Sequence, residues 1–116
     1  MKCYVKLLRG DIMNDSKSIV KIVDVLQSTM ADDKDKGDII FNKVKKLIED
    51  REKNIKIDFT NTDGLNTAFL NNAIGRIFSI KYDQRKESKI TLINFPLELK
   101  DLLEEAINTA RDKYSI

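Results

Sequence analysis

Residues 55–79 read IKIDFTNTDGLNTAFLNNAIGRIFS and place a strand, a turn and a helix in direct succession. Short length and strong β-forming side chains predict a strand over 54–59 that enters the core. Asparagine, aspartate, glycine and threonine dominate 60–66 and predict a turn. From Thr67 onward the apolar residues recur at helical spacing, which predicts a largely buried helix. Its apolar face consists of Phe69, Leu70, Ala73, Ile74, Ile77 and Phe78.

The rest of the chain surrounds this central segment with further strands and helices. In chain order they are a strand over 2–8, a strand near 18–23 followed by a short helical turn, a charged loop over 31–37, a helix over 38–51, a charged loop over 81–89, a strand over 89–95 and a helix starting at Pro96. Asp38 is expected to cap its helix or to complement its dipole. Gly75 predicts the close approach of a neighbouring strand or of a partner, because glycine inside a helix is unfavourable.

Alternation of strands and helices in the second half of the chain determines the expected architecture. The nearly continuous apolar run at 90–95 is typical of a strand covered on both faces. Strand–helix–strand units require right-handed crossovers and place helices against the sheet. We therefore expect one α/β domain over 1–116, with a mixed sheet of about four strands and helices packed on it.

The composition favours a globular cytoplasmic protein. Hydrophobic residues make up 41% of the 116 residues and charged residues 34%, and the net charge is only +2. The longest apolar runs, such as 39–41 and 90–95, are far shorter than the roughly 20 residues that cross a bilayer. The N-terminus lacks the apolar core and the small-residue cleavage site of a secretory signal. We therefore expect no membrane span.

Missing residue types exclude most catalytic designs. Histidine is absent, which removes Ser–His and Cys–His nucleophiles and nearly all zinc chemistry. Cys3 is the only cysteine, so no internal disulfide forms. The glycines are isolated and form no phosphate loop. We therefore expect a protein that is not an enzyme and has no cofactor.

Acidic residues suggest two sites that their spacing argues against. An EF-hand beginning at Asp33 would place Val44 where the bidentate glutamate is needed, so no metal site is expected in the acidic stretch. Asp58 at a strand end, followed by Asp63, resembles the phosphoacceptor arrangement of response-regulator receivers. The acidic pair that receivers carry after their first strand is missing, and Asp58 is expected to accept backbone hydrogen bonds in the following turn.

Asn66 and Thr67 open the central helix and carry the most informative surface feature. Asn66 is a favourable N-cap, and Thr67 lies in or beside the first turn, where free N–H groups favour negative charge. Two interpretations stay open. The pair is either a plain cap, or Thr67 accepts a phosphate whose charge of about −1.5 to −2 suits the helix start and repels an acidic partner.

Three short stretches together resemble the uncharacterised STAS-like domain family. They are Gly37-Asp-Ile-Ile-Phe41, Ile55-Lys-Ile-Asp-Phe59 and Leu65-Asn-Thr-Ala-Phe-Leu-Asn-Asn-Ala-Ile-Gly75. The resemblance extends from about Ile19 onward and implies a fold similar to that of bacterial anti-sigma-factor antagonists. Those STAS domains bind ATPase-fold serine/threonine kinases, and phosphorylation at the start of the helix after the central strand switches them off.

The resemblance implies a non-enzymatic signalling module that binds a protein partner, an ATPase-fold kinase, near the 60–79 turn and helix. Thr67 is the nearest match to the phosphoacceptor. The antagonists carry an Asp-Ser-Ser/Thr-Gly run there, and the register places the acceptor either on Thr67 or on Ala68, which has no hydroxyl. The residues expected to bind the partner are Asp63, Asn66, Thr67 and Asn71.

Two other functions remain open from the sequence. Lys43, Lys45 and Lys46 form a basic face that suits nucleic acid or a small ligand, although acidic residues interleave with it and few aromatic residues accompany it. A structural subunit of a larger assembly, for example in bacterial or phage defence, is compatible with the small size and the mixed surface charge.

Overall fold

Parallel strands form the centre of the molecule. The computed structural model describes the backbone of Val5–Leu8 and the chain over 18–114. Three strands are β1 (Ile19–Lys21), β2 (Asn54–Asp58) and β3 (Lys89–Ile93), with β2 between the other two. The backbone of Val5–Leu8 runs parallel along the remaining edge of β3. The predicted total of about four strands counts this outer segment and stays a prediction.

The described strand pairs are all parallel, so the expectation of a mixed sheet is wrong. Parallel neighbours need a crossover between them, and the connections of β1 to β2 and of β2 to β3 both contain helices. The helices are α1 (Ile22–Leu26), α2 (Lys34–Glu49), α3 (Thr67–Ala73), α4 (Tyr82–Arg85) and α5 (Lys100–Tyr114), and the 3-10 helices are Gly75–Ser79 and Leu97–Leu99.

Two of the predicted loops contain helix. The loop expected over 31–37 ends at Asp33, whose side chain accepts a hydrogen bond from the backbone N–H of Lys36 at 2.9 Å and caps α2. The predicted cap, Asp38, lies inside α2. The loop expected over 81–89 contains α4. Charged residues are compatible with both a loop and an exposed helix, and the local pattern does not distinguish the two.

The core lies where the sheet meets the long helices. Ile55 and Ile57 of β2 are fully buried, whereas the alternate positions Lys56 and Asp58 are half-buried. Residues 90–93 of β3 are all buried, which confirms the prediction of a strand covered on both faces. From the helices, the fully buried side chains are Ile22, Ile40, Val44, Phe69, Leu70, Ala73, Ile77 and Ala106.

Two glycines mark the contacts that position α3. A Cβ atom on Gly37 would lie 2.7 Å from the carbonyl oxygen of Phe69 and 2.9 Å from the Cβ of Asn72, so the backbones of α2 and α3 nearly touch. A Cβ atom on Gly75 would lie 3.4 Å from the carbonyl oxygen of Ala106, an ordinary contact with α5. The neighbour of Gly75 is therefore the helix α5 at an ordinary distance, not the predicted strand or partner, and the close approach is at Gly37.

The helices of the described chain offer no membrane crossing. None of those within 18–114 combines the length and the apolar character that a transmembrane helix requires.

Candidate functional site

Two loops that are far apart in sequence are joined by hydrogen bonds beside the start of α3. The backbone N–H of Asp63 donates to the carbonyl oxygen of Thr29 at 2.7 Å, and the N–H of Ala31 donates to the carbonyl of Asp63 at 2.9 Å. The side-chain amide of Asn66 donates to the carbonyl of Asp32 at 2.8 Å. We call residues 29–33 and 60–68 together the joined-loop surface.

Asn66 connects this surface to α3 and confirms the predicted N-cap. Its side-chain oxygen accepts a hydrogen bond from the backbone N–H of Phe69 at 2.9 Å, while its amide nitrogen is bound to Asp32. Phe69 is fully buried and anchors the first turn. One side chain therefore satisfies a free helix N–H and fixes the neighbouring loop at the same time.

The structure brings three of the four predicted partner-binding residues into one surface. Asp63 is exposed, and Asn66 and Thr67 are half-buried. Asn71 lies one helical turn beyond Thr67, on the same side of α3, and faces a cleft of about 300 Å³ between α3 and α5. Its side-chain oxygen is buried and has no hydrogen-bond partner in the described chain. The partner-binding role of all four residues stays a prediction.

The two possible phosphoacceptor positions differ in accessibility. Thr67 is half-buried in the first turn of α3, and Ala68 beside it is exposed. The register that selects Thr67 supplies a hydroxyl, and the register that selects Ala68 supplies only a methyl group.

Met30 is a residue of this surface that sequence reasoning missed. Its side chain is 41% exposed although it is large and apolar. A Cβ atom on Gly64, where φ is +73°, would lie 2.9 Å from the terminal methyl carbon of Met30, so the methionine lies directly against the turn. The sequence predicted only a strand near 18–23 with a short helical turn after it and gave Met30 no role. The parallel bridge between Met30 and Asp63, which no local pattern reveals, brings it to the surface.

A second polar cluster lies at the carboxyl ends of β2 and β3. One carboxylate oxygen of Asp58 accepts from the backbone N–H of Thr60 at 3.0 Å, from the Thr60 hydroxyl at 2.6 Å and from the side-chain amide of Asn94 at 3.0 Å. This confirms the expectation that Asp58 binds donors of the following turn. Asn94 was not predicted, and its left-handed φ of +59° is the kind of position that asparagine tolerates.

The charge on Asp58 follows from these contacts. Burial raises its pKa, but the hydrogen bonds from Thr60 and Asn94, together with the charge of Lys21 on the neighbouring strand, outweigh burial and hold the pKa of Asp58 below the ordinary 3.8. Asp58 is therefore ionised at neutral pH, with one oxygen occupied by donors of its own chain. This arrangement stabilises the turn after β2. It does not suit a general acid, because an ionised carboxylate has no proton to donate.

Asp38 joins α2 to α3 and to the 3-10 helix that follows. Its carboxylate accepts from Arg76 at 2.8 Å and from the Asn72 side-chain amide at 2.9 Å. The Arg76 guanidinium also lies 4.2 Å from the centre of the Phe41 ring. The pair is half-exposed, so its main effect is to fix the geometry between these elements, because exposed ion pairs contribute little energy.

The described residues form no metal centre, and the three lysines of the predicted basic face are exposed. Over 18–114, no three His, Cys, Asp or Glu side chains lie close enough together to hold a metal ion. Lys43, Lys45 and Lys46 are exposed on α2.

Comparison with known proteins identifies one family. Residues 36–96 match the family described as a STAS-like domain of unknown function (DUF4325). The matched stretch runs from the first turn of α2 through β2, the 60–66 turn, α3 and β3, and so includes most of the joined-loop surface. The match confirms the resemblance that the sequence motifs indicated. No curated protein and no solved structure matches the chain.

Proposed function

Because the chain belongs to the STAS-like domain family, we propose that it is a non-enzymatic protein-interaction module whose partner docks on the joined-loop surface. The observation that carries this proposal is the set of hydrogen bonds that joins Thr29, Ala31 and Asp32 to Asp63 and Asn66. These bonds hold two loops in one shape before any partner arrives. A preformed surface loses less conformational entropy on binding than two mobile loops would.

The chemistry of the joined-loop surface suits a protein partner. Met30 presents an exposed flexible apolar side chain, and methionine is enriched at protein interfaces. Asp63 is exposed beside it, and Asp32 is half-buried in an ion pair with Lys36 at 3.2 Å. An apolar centre with an acidic rim fits a partner that carries basic residues around an apolar pocket.

The partner class that we propose is an ATPase-fold serine/threonine kinase, which acts with the chain in the cytoplasm. This follows from the resemblance to anti-sigma-factor antagonists, and phosphorylation of Thr67 is the corresponding regulatory step. A phosphate on Thr67 would add negative charge to a surface that already carries Asp32 and Asp63. Like-charge repulsion from these two carboxylates and the cost of desolvating the phosphate beneath the partner would weaken docking.

The proposal is tested by co-purifying the tagged chain with an ATPase-fold kinase encoded near its gene and measuring the affinity by calorimetry. Met30→Asp and Ala68→Arg are expected to weaken binding by about tenfold or more, as central interface residues do. Asn42→Asp is the matched control for Met30→Asp, since Asn42 is exposed on α2 and both substitutions add one negative charge. Absence of a complex with the unaltered chain contradicts the kinase partner, and equal binding by all variants contradicts the surface.

Phosphoregulation needs a separate measurement. Incubation with the active kinase and ATP is expected to add one phosphate to the unaltered chain and none to Thr67→Val, as read by intact mass. If the mass does not change, Thr67 has no regulatory role and the docking proposal stands on the affinity data alone.

A further inference from the structure

Arg85 is a buried charged residue in a segment that the sequence assigned to a surface loop. It ends α4, and its side chain is only 3% exposed. Within the described chain it is the only ionisable residue that is buried to this degree. Burying a charge is costly unless hydrogen bonds or an opposite charge compensate it. The groups around Arg85 therefore need to be accounted for.

The contacts of Arg85 leave part of its guanidinium without a partner. Its Nε donates to the carbonyl oxygen of Ile80 at 2.9 Å. The planar group lies 5.3 Å from the centre of the Phe78 ring and 5.8 Å from that of Tyr82, and these contacts involve the aromatic rings and not its N–H donors. Nη1 is buried without an acceptor, and none of the ion pairs in the described chain includes Arg85.

Arg85 lines a cleft whose other residues suit an anion. The cleft has a volume of about 310 Å³, and its lining includes Lys81, Tyr82 and Tyr114. Lys81 is exposed and supplies a second positive charge, and tyrosine hydroxyls can donate hydrogen bonds. With Nε bound to the backbone, Nη1 is the buried donor that lacks an acceptor in the described chain. Guanidinium donors pair strongly with the oxygens of a carboxylate or phosphate.

We propose that the Arg85 cleft binds the carboxylate or phosphate group of a small organic anion, with Lys81 as the second cation and the aromatic residues against the organic part. The ligand supplies the acceptor that the chain itself does not provide. This site is distinct from the joined-loop surface and does not depend on the proposed kinase partner. The two regions lie at opposite ends of the run formed by α3 and the following 3-10 helix.

The test uses the full chain and three probes, namely benzoate, phenyl phosphate and inorganic phosphate, at constant ionic strength. Saturable NMR shifts are expected for the Arg85 Nε–H and for the backbone amides of Tyr82 and Tyr114, with sodium chloride producing none. Stronger binding of benzoate assigns the site to carboxylates, and stronger binding of either phosphate assigns it to phosphates. If no probe gives saturable shifts, or chloride gives the same ones, the proposal is overturned.

Variants separate binding from a purely structural role of Arg85. Arg85→Gln, if it folds, is expected to lose the saturable shifts, and persistent binding overturns the proposal. Lys81→Ser is the safer variant because Lys81 is exposed. It is expected to keep the melting temperature and to weaken the preferred probe by about tenfold, the effect of losing one charge-assisted hydrogen bond. Arg76→Lys is the matched control, since Arg76 is already paired with Asp38, and it should bind the probes unchanged.

Discussion

The start of α3 and the far end of the helical run that follows it use polar residues in opposite ways. At the start, Asn66 satisfies both a helix N–H and a loop carbonyl, and Asp63 is bound through both of its backbone groups. At the far end, Arg85 is buried with a donor that has no acceptor in the described chain. Satisfied polar groups hold the first region in one shape, whereas the unsatisfied donor in the second needs an acceptor, which the proposed ligand would supply.

The largest effect is expected from the glycine that lets α2 pack against α3 between these two regions. Gly37→Ala should destabilise the fold by about 1 to 3 kcal/mol, because the new methyl group meets the backbone of α3, which cannot move aside easily. Gly75→Ala is the matched control and should be neutral or slightly stabilising, since its contacts with α5 leave room for a Cβ. Urea denaturation measures both. An equal loss for the two variants would show that Gly37 packs against α3 no more tightly than Gly75 packs against α5.

The next effect concerns the double role of Asn66. Asn66→Ala should cost about 1 to 2 kcal/mol, the upper part of the range for an N-cap, because it also breaks the bond to the Asp32 loop. Asp33→Ala, which removes the cap of α2 only, should cost less. Hydrogen exchange is expected to speed up at Ala31 and Asp63 in the first variant and not in the second. Unchanged exchange in both variants would show that the Asn66 side chain caps α3 without holding the two loops together.

The smallest effect is a pH dependence at the carboxyl ends of the strands. The pKa of folded Asp58 lies below its unfolded value, so its contribution to stability is present above about pH 4 and is lost as the pH falls through the lower folded pKa. Asn94→Ala removes one donor and raises the pKa of Asp58 towards its ordinary value. The free energy of unfolding should then depend less on pH in this acidic range. Urea midpoints between neutral and acidic pH test it. Parallel curves for the two proteins would contradict the assigned role of Asn94.

Local sequence patterns predicted the parts of the fold that depend on local chemistry. The strand β2, the turn after it and the Asn66 cap follow from residue type and spacing, and the structure contains each of them. The predicted apolar face is buried, but the single helix expected for it ends at Ala73, and Ile77 and Phe78 lie in the 3-10 helix Gly75–Ser79. The amphipathic part of α2 was also correct, because its apolar spacing is set by the core that it faces.

Features that depend on contacts between distant residues could not be predicted in this way. Gly37 belongs to a charged stretch that is typical of a loop, yet it lies inside α2. The residue at this position is glycine because a Cβ atom would meet the backbone of α3. Arg85 belongs to a charged stretch, and its burial depends on tertiary packing around Phe78 and Tyr82. Both the joined-loop surface and the pairing of Asp58 with Asn94 join residues far apart in sequence, so no window of sequence contains them.

The parallel order of the sheet also determines when the molecule can fold. Val20 pairs with Ile57, and Ile57 pairs with Leu92, so each pairing closes a long loop that contains a helix. Chains dominated by such distant pairings fold more slowly than chains with local contacts, because the entropy of closing the loop is lost before the pairing is gained. During synthesis, the central strand has both neighbours only after residues up to 93 have left the ribosome. The joined-loop surface can therefore form before the sheet that supports it is complete.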